Sequence, residues 1–306
     1  MKTFLIKASL FFVLITLLTT LFLYKYGGYV DYFYEKFTTP KAHSMIIGDS
    51  RAMQGIRPDI IDQYFQDEQF ELPMLNYAFT IAQAHIGPLY RKSILKKIHP
   101  NTKNGLFVIS INPAMLSSKK QNNNYIGEFK EKGSPPHNMD IVDLNPNFEY
   151  LFKNYNYFHF KAVFRQKSKT HKNGWLEERN LPKDSIIFKE WKQNQIAIFS
   201  DFYKNYKVSE YRKKSLDTLI KDLKKNGKVI LLRTPISSEM LDLENEFYPN
   251  FNNEINSIAK RNNIKFINYT TNNKTTFRTY DGHHIDKFGS VEFTQSLCDS
   301  IKKYSK

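Results

Sequence analysis

From Ser44 onward, short apolar runs alternate with stretches in which apolar residues recur every three or four positions. Ser44 to Gly48, Met74 to Ala78, Leu106 to Ile111, Lys228 to Leu232 and Lys265 to Tyr269 read as strands. Pro58 to Phe65, Ala84 to Ile98, Tyr211 to Asn226, Asn252 to Asn262 and Lys287 to Lys303 read as helices. Gly227 after Asn226 is a helix stop that leads directly into the strand Val229-Ile230-Leu231-Leu232. Strands separated by helices of this length predict an α/β domain, a parallel sheet covered on both faces. Such sheets bind ligands at the carboxyl ends of their strands. Ser50, Ala78, Asn112, Arg233 and Pro235 all fall just beyond such ends.

The N-terminus follows a different pattern. Leu10 to Tyr24 is uncharged and mostly apolar, and with Phe4, Leu5, Ile6 and Ala8 the stretch reaches about 20 residues, enough for a helix to cross a bilayer. Lys7 lies near its end and can snorkel to the interface. Lys2 and Lys7 before the span place the N-terminus in the cytoplasm, a bias that Lys25 on the far side weakens. A cleaved signal peptide is the rival, but no small-x-small site follows Leu23. The expectation is an uncleaved anchor over residues 1–26 and a juxtamembrane segment over 27–43. The domain over 44–306 then stands outside the cytoplasm. Tyr29, Tyr32, Phe33 and Tyr34 suit the headgroup region, and equally the start of an amphipathic helix.

Residues 117–205 interrupt the strand–helix rhythm. A polar loop, Lys119 to Asn124, and Ser134-Pro135-Pro136 precede an aromatic stretch of Phe148, Tyr150, Phe152, Tyr155, Tyr157, Phe158, Phe160 and Phe164. This reads as an insertion with some helix, a lid or wall over the site. Its aromatics either stack on sugar rings or pack on the main domain.

Composition narrows the partners. The chain is 306 residues, 41% hydrophobic and 15% aromatic, with a net charge of +15. The positives come as scattered pairs such as Lys96-Lys97 and Lys213-Lys214, with no long run, so no nucleic-acid arm is indicated. A basic surface favours anionic membranes or glycans, unless it is only a Lys-rich compositional bias. The single cysteine, Cys298, excludes an intramolecular disulfide.

The candidate chemistry lies in two distant blocks. In Gly48-Asp49-Ser50-Arg51 the glycine permits a tight turn, and the serine can lead a helix whose backbone N–H groups face a developing oxyanion. Asp-Ser is also an ordinary helix cap. Asp281-Gly282-His283-His284 can fold its carboxylate onto the His284 ring, fixing the tautomer and leaving Nε2 to take a serine proton. Adjacent histidines tend to diverge, which argues against a metal pair, and a surface pair without function is the plain alternative. The backbone N–H of Ala78, after Leu75-Asn76-Tyr77, and the side chain of Asn112, before Pro113, are further candidate oxyanion donors. Asn-Pro also simply starts turns.

Together these four blocks resemble the SGNH (GDSL-like) hydrolase family, ordered serine, glycine, asparagine and Asp-x-x-His. The resemblance covers about 44–113 and 228–306 and skips the insertion. It implies a three-layer α/β/α, flavodoxin-like fold with Ser50 as nucleophile, His284 as base and Asp281 as its partner. It also implies an oxyanion hole from the N–H groups of Ser50 and Ala78 with the Asn112 side chain, and it implies no cofactor or metal. Two departures stand out: Ala78 where the family has glycine, and Ser110-Ile111-Asn112-Pro113 where it has Gly-x-Asn-Asp. The first and last blocks match, including Gly289 five residues after His284.

The preceding anchor resembles the membrane-tethered branch that moves or removes acyl groups on cell-surface polymers. So does the strand ending in Arg233-Thr234-Pro235. Arg51 and Arg233 are then expected to contact the substrate, although Arg233 equally suits a core carboxylate. The expected function is an extracytoplasmic esterase or O-acyltransferase on a cell-envelope glycan or acylated polymer, with a membrane-bound acyl-transfer partner. The rivals are a non-catalytic glycan-binding or scaffold protein using the same cleft, and a lipase acting on membrane lipids.

Overall fold

The computed structural model describes residues 1–67, 70–121, 130–154, 162–164, 167–271 and 277–304. Its centre is a five-stranded parallel sheet: β1 (Ser44–Ile47), β2 (Met74–Asn76), β3 (Gly105–Ser110), β8 (Gly227–Arg233) and β9 (Lys265–Asn268), in the order β2-β1-β3-β8-β9. This is the flavodoxin-like strand order, whose switch point lies between β1 and β3. Each expected strand is present: β1, β2 and β9 end one or two residues early, β3 is shifted by one residue toward Gly105, and β8 extends one residue further at each end.

The three layers follow from alternation along the strands. Met45 and Ile47, Phe107 and Ile109, and Val229 and Leu231 face one way. They meet helices α4 (Pro88–Lys97), α7 (Glu210–Leu223) and α9 (Phe251–Arg261). Ile46, Leu106, Val108, Ile230 and Leu232 face the other way. There they meet α2 (Ser50–Gly55), α3 (Pro58–Tyr64) and α10 (Gly289–Lys303). Burial on both faces explains why the strands read as continuous apolar runs. Helix α7 ends at Leu223, before the expected stop. Gly227 instead opens β8, where a Cβ would lie 1.9 Å from the Gly105 carbonyl of β3.

The excursion between β3 and β8 is closed by β4 (Ser117–Lys119) pairing antiparallel with β7 (Tyr206–Val208). Between them lie α5 (Phe148–Asn154), the hairpin of β5 (Ser168–Thr170) and β6 (Leu176–Glu178), and α6 (Ser185–Asn205). Its aromatics divide: Tyr150 is buried, Phe148 packs on the core, and Phe152 and Phe164 are exposed. Tyr155, Tyr157, Phe158 and Phe160 lie outside the described residues. Helix α8 (Ser238–Phe247) follows β8.

The N-terminal helix α1 runs Lys2–Val30 and is apolar and long enough to cross a membrane. Its far end does not stand apart from the domain. Leu23 and Val30 belong to the main core, with Tyr34 and Phe37 beyond them. A separate juxtamembrane segment is therefore replaced by chain built into the fold. The Tyr34 hydroxyl points inward, not toward headgroups: its oxygen accepts from the Asn147 N–H at 3.2 Å.

Candidate active site

Strand β1 delivers Gly48 and Asp49 to the switch point. A Cβ on Gly48 would lie 2.8 Å from Ala52 and 2.9 Å from the Ser110 side chain, so glycine lets α2 start hard against β3. Asp49 caps α2, accepting from the Arg51 N–H at 3.1 Å. Ser50 is thereby the first residue of the helix.

The C-terminal block comes back to meet it. His284 Nε2 lies 2.9 Å from Ser50 Oγ, across 234 positions of sequence. His284 Nδ1 lies 2.8 Å from Asp281 Oδ2. The other oxygen, Oδ1, accepts the backbone N–H groups of His283 at 3.0 Å and His284 at 2.7 Å. Burial alone would push the Asp281 carboxyl up. The charge of His284, its ring N–H and the two backbone donors outweigh burial and hold the carboxyl below the usual range. An ionised Asp281 keeps the proton of His284 on Nδ1 and leaves Nε2 to accept from Ser50.

The expected oxyanion donors stand in different states. The Ser50 N–H has no hydrogen-bond partner among the described residues. Asn112 Nδ2 donates to Asp49 Oδ2 at 2.6 Å, and its Oδ1 accepts from the Met115 N–H at 3.3 Å. A primary amide has two N–H bonds, so this pair fixes the plane of Asn112 and leaves it a second donor. The Ala78 N–H donates to Asn76 Oδ1 at 3.2 Å. Ala78 is not among the residues with positive φ, so this turn does not require the glycine usual there.

Arg51 and Arg233 do not take the substrate-binding role expected of them. Both are buried, and both guanidiniums converge on the buried Glu244, at 2.5 Å and 2.7 Å. Arg51 also donates from Nε to His283 Nε2 at 3.3 Å. The His283 ring packs 4.4 Å from Phe199 of α6. Burial, then the neighbouring Arg51, pushes His283 well below the usual imidazole range, so it is neutral. A long cation beside a strand end reads as a substrate clamp only when its counter-ion is out of view in the sequence. Here that counter-ion sits on α8, which the periodicity did not single out.

Three supporting residues escaped the sequence reading. Asn76 is buried and donates from Nδ2 to the carbonyls of Ala52 at 2.9 Å and Ile56 at 3.0 Å, tying α2 to β2. The Tyr280 ring lies parallel to His284, 5.5 Å between centroids and 10° between planes. Its hydroxyl donates to Gln54 Oε1 at 2.8 Å. The available signal was a polar residue ending an otherwise apolar strand, Met74-Leu75-Asn76. Among the described residues no cluster of His, Cys, Asp and Glu fits a metal ion.

No family model and no curated protein matches the sequence. Among solved structures the chain is similar to Est24, a carbohydrate acetylesterase from Sinorhizobium meliloti, at 10% identity and TM-score 0.41, covering 85% of this chain and 98% of that one. It is similar to the lipase/acylhydrolase from Enterococcus faecalis at 11% identity and TM-score 0.40, covering 85% and 95%. It is also similar to the M. smegmatis aryl esterase at 10% identity and TM-score 0.37, covering 85% and 97%. These are likenesses of overall trace, and the chemistry of this chain is carried by its own side chains.

Proposed function

We propose that this chain is an SGNH-type serine esterase or O-acyltransferase that works outside the cytoplasm on acyl esters of a cell-envelope glycan. The observation that carries the reading is the unbroken relay from Ser50 Oγ through His284 to the buried Asp281. As Oγ attacks the acyl carbonyl, its proton passes to Nε2, and Asp281 stabilises the resulting imidazolium. The oxyanion forms beside the Ser50 N–H and the second N–H of Asn112. Collapse expels the alcohol, which takes the proton from Nε2, and leaves the acyl group on Ser50. Water or a sugar hydroxyl then attacks the acyl-enzyme with His284 as base, giving the acid or a new ester.

The extracytoplasmic placement is supported by α1. Its last turns supply Leu23 and Val30 to the core, so removing the helix as a leader would cut into the domain. A retained apolar helix behind Lys2 and Lys7 orients the domain outward. The glycan and a membrane-bound acyl-transfer partner rest on the family resemblance of the sequence blocks.

The test is covalent labelling of the full-length protein in detergent with a fluorophosphonate, comparing wild type with Ser50→Ala. Labelling located at Ser50 by mass spectrometry and lost in the variant is the expected result. A folded wild type that takes no label would instead favour a binding protein built on the same cleft.

A further inference from the structure

The β5–β6 hairpin touches two places that matter at once. One side lies along the end of α1. A Cβ on Gly28 would sit 2.4 Å from the Thr170 carbonyl, so only glycine lets the hairpin approach so closely. Thr170 Oγ1 donates to the Asp31 carbonyl at 3.3 Å. Lys169 Nζ is 5.9 Å from the Tyr29 ring, and Lys172 Nζ is 5.5 Å from the ring of Tyr24, the last residue of the uncharged run. The turn of the hairpin thus stands where the apolar helix gives out.

The other side of the hairpin holds the back of the active site. Trp175 Nε1 donates to the Gln54 carbonyl on α2 at 2.7 Å. The Asn173 carbonyl accepts from the Asn76 N–H at 2.8 Å. Buried Lys36 bridges the carbonyls of Gly174 and Asn76. From Lys172 to Trp175 the backbone spans at most about 10 Å, and Gln54 is about 6 Å from Ser50 along α2. With the indole between them, Ser50 is within about 25 Å of Lys172.

Charge at the turn has one sign facing out. Lys25 and Lys172 are exposed and Lys169 is half-buried, and none of the three forms an ion pair among the described residues. Of the nearby carboxylates, Glu177 pairs with Arg179 and His171, and Glu35 is buried against Thr38, where it feels the charges of Lys172 and Lys169 without reaching solvent. Lysines and tyrosines at the mouth of an apolar helix are the chemistry that recognises anionic lipid headgroups.

We propose that the hairpin turn is a lipid-contact element: Lys25, Lys169 and Lys172 bind anionic headgroups at the outer membrane surface and hold Ser50 at a fixed, short height above it. The ester acted upon is then one presented at the membrane, on a lipid-linked or membrane-anchored carrier. This rests on α1 being a retained anchor.

The test uses full-length Asn173→Cys, beside Lys172 in the turn, since the one native cysteine, Cys298, is buried. The new thiol carries an environment-sensitive fluorophore, and the protein is reconstituted into vesicles of phosphatidylcholine with or without phosphatidylglycerol and a headgroup-level spin-labelled quencher. Quenching at 173 should be at least about twofold stronger with phosphatidylglycerol, and should lose that excess between about 0.1 M and 1 M salt. Adding Lys25→Glu and Lys169→Glu should abolish the dependence on anionic lipid. Equal quenching in both lipids, with the protein floating with the vesicles, overturns the lipid contact while sparing the anchor. Protein that does not float with vesicles overturns both.

Discussion

Arg51, next in sequence to the candidate nucleophile, donates from Nη2 to Glu244 Oε1 at 2.5 Å with both side chains out of water. The second oxygen of Glu244 receives Arg233 at 2.7 Å, and Arg233 Nη1 continues to Asn252 Oδ1 at 2.6 Å. One carboxylate therefore joins α2, β8 and α8 beneath the site. Removing one member of a buried pair leaves an uncompensated charge, which typically costs about 3–5 kcal/mol. Glu244→Ala strands two guanidiniums and should fall at the upper end of that range. Urea denaturation of wild type and variant measures it, and a loss below about 1 kcal/mol would mean that water already reaches the pair.

Asp281→Asn changes the relay without changing its shape. The amide can still accept the backbone N–H groups of His283 and His284, but its NH₂ would face Nδ1 and favour the wrong imidazole tautomer. Acyl-enzyme formation should slow by about 10⁴-fold, as such tautomer errors do in serine hydrolases. The check is the rate of fluorophosphonate labelling together with circular dichroism. An unchanged rate would remove Asp281 from the mechanism.

Asn112→Ala tests the oxyanion assignment. Loss of one such donor typically lowers kcat by about 10²–10³-fold with little effect on KM. The substitution also frees Asp49 Oδ2, which now accepts Asn112 at 2.6 Å, so Asn112→Ser serves as a second variant that can refill that bond. An effect confined to KM in both variants would make Asn112 a wall of the cleft and nothing more.

The parallel sheet was legible because its strands are buried on both faces and so read as apolar runs such as Leu106 to Ile109. The two chemical blocks were legible because each is local: Asp49 caps its own helix, and Asp281 reaches His284 three residues on. Long-range partnerships were not. Glu244 reads as one acid among several on a surface helix until α8 is packed on β8. Asn76 reads as the end of a strand until its amide meets Ala52 and Ile56. The chain after Tyr24 looks like a tether, yet Val30, Tyr34 and Phe37 are core. Aromatic residues suit a membrane interface and a protein interior equally, and only the contacts decide between them. Helix α6 went unmarked because few of its apolar residues are buried, with Phe199 and Tyr203 the fully covered ones.

Acid should weaken the fold through its buried histidines. His137, in the insertion, packs on the β2–α4 connection, with Nε2 2.9 Å from the Gln83 carbonyl. Burial and the nearby Arg212, only partly offset by Glu131 and the Gln83 carbonyl, lower its pKa to about 4. An unfolded histidine titrates near about 6.5, so between these values the unfolded chain binds more protons than the folded one. Stability is therefore full above pH 6.5 and falls as the pH drops toward 4. At pH 5 the loss from this one group is about 2 kcal/mol. Buried His85 is shifted in the same direction, while Asp62, raised to about 6 by burial, works in the opposite sense. Both are common to wild type and His137→Gln, so they cancel in the difference. Glutamine keeps an N–H for Gln83 but cannot titrate. His137→Gln should lose about 2 kcal/mol less than wild type between pH 7 and pH 5 in urea denaturation. Equal losses in the two proteins would show that His137 is charged at no cost in the folded state, and hence that water enters beside the insertion.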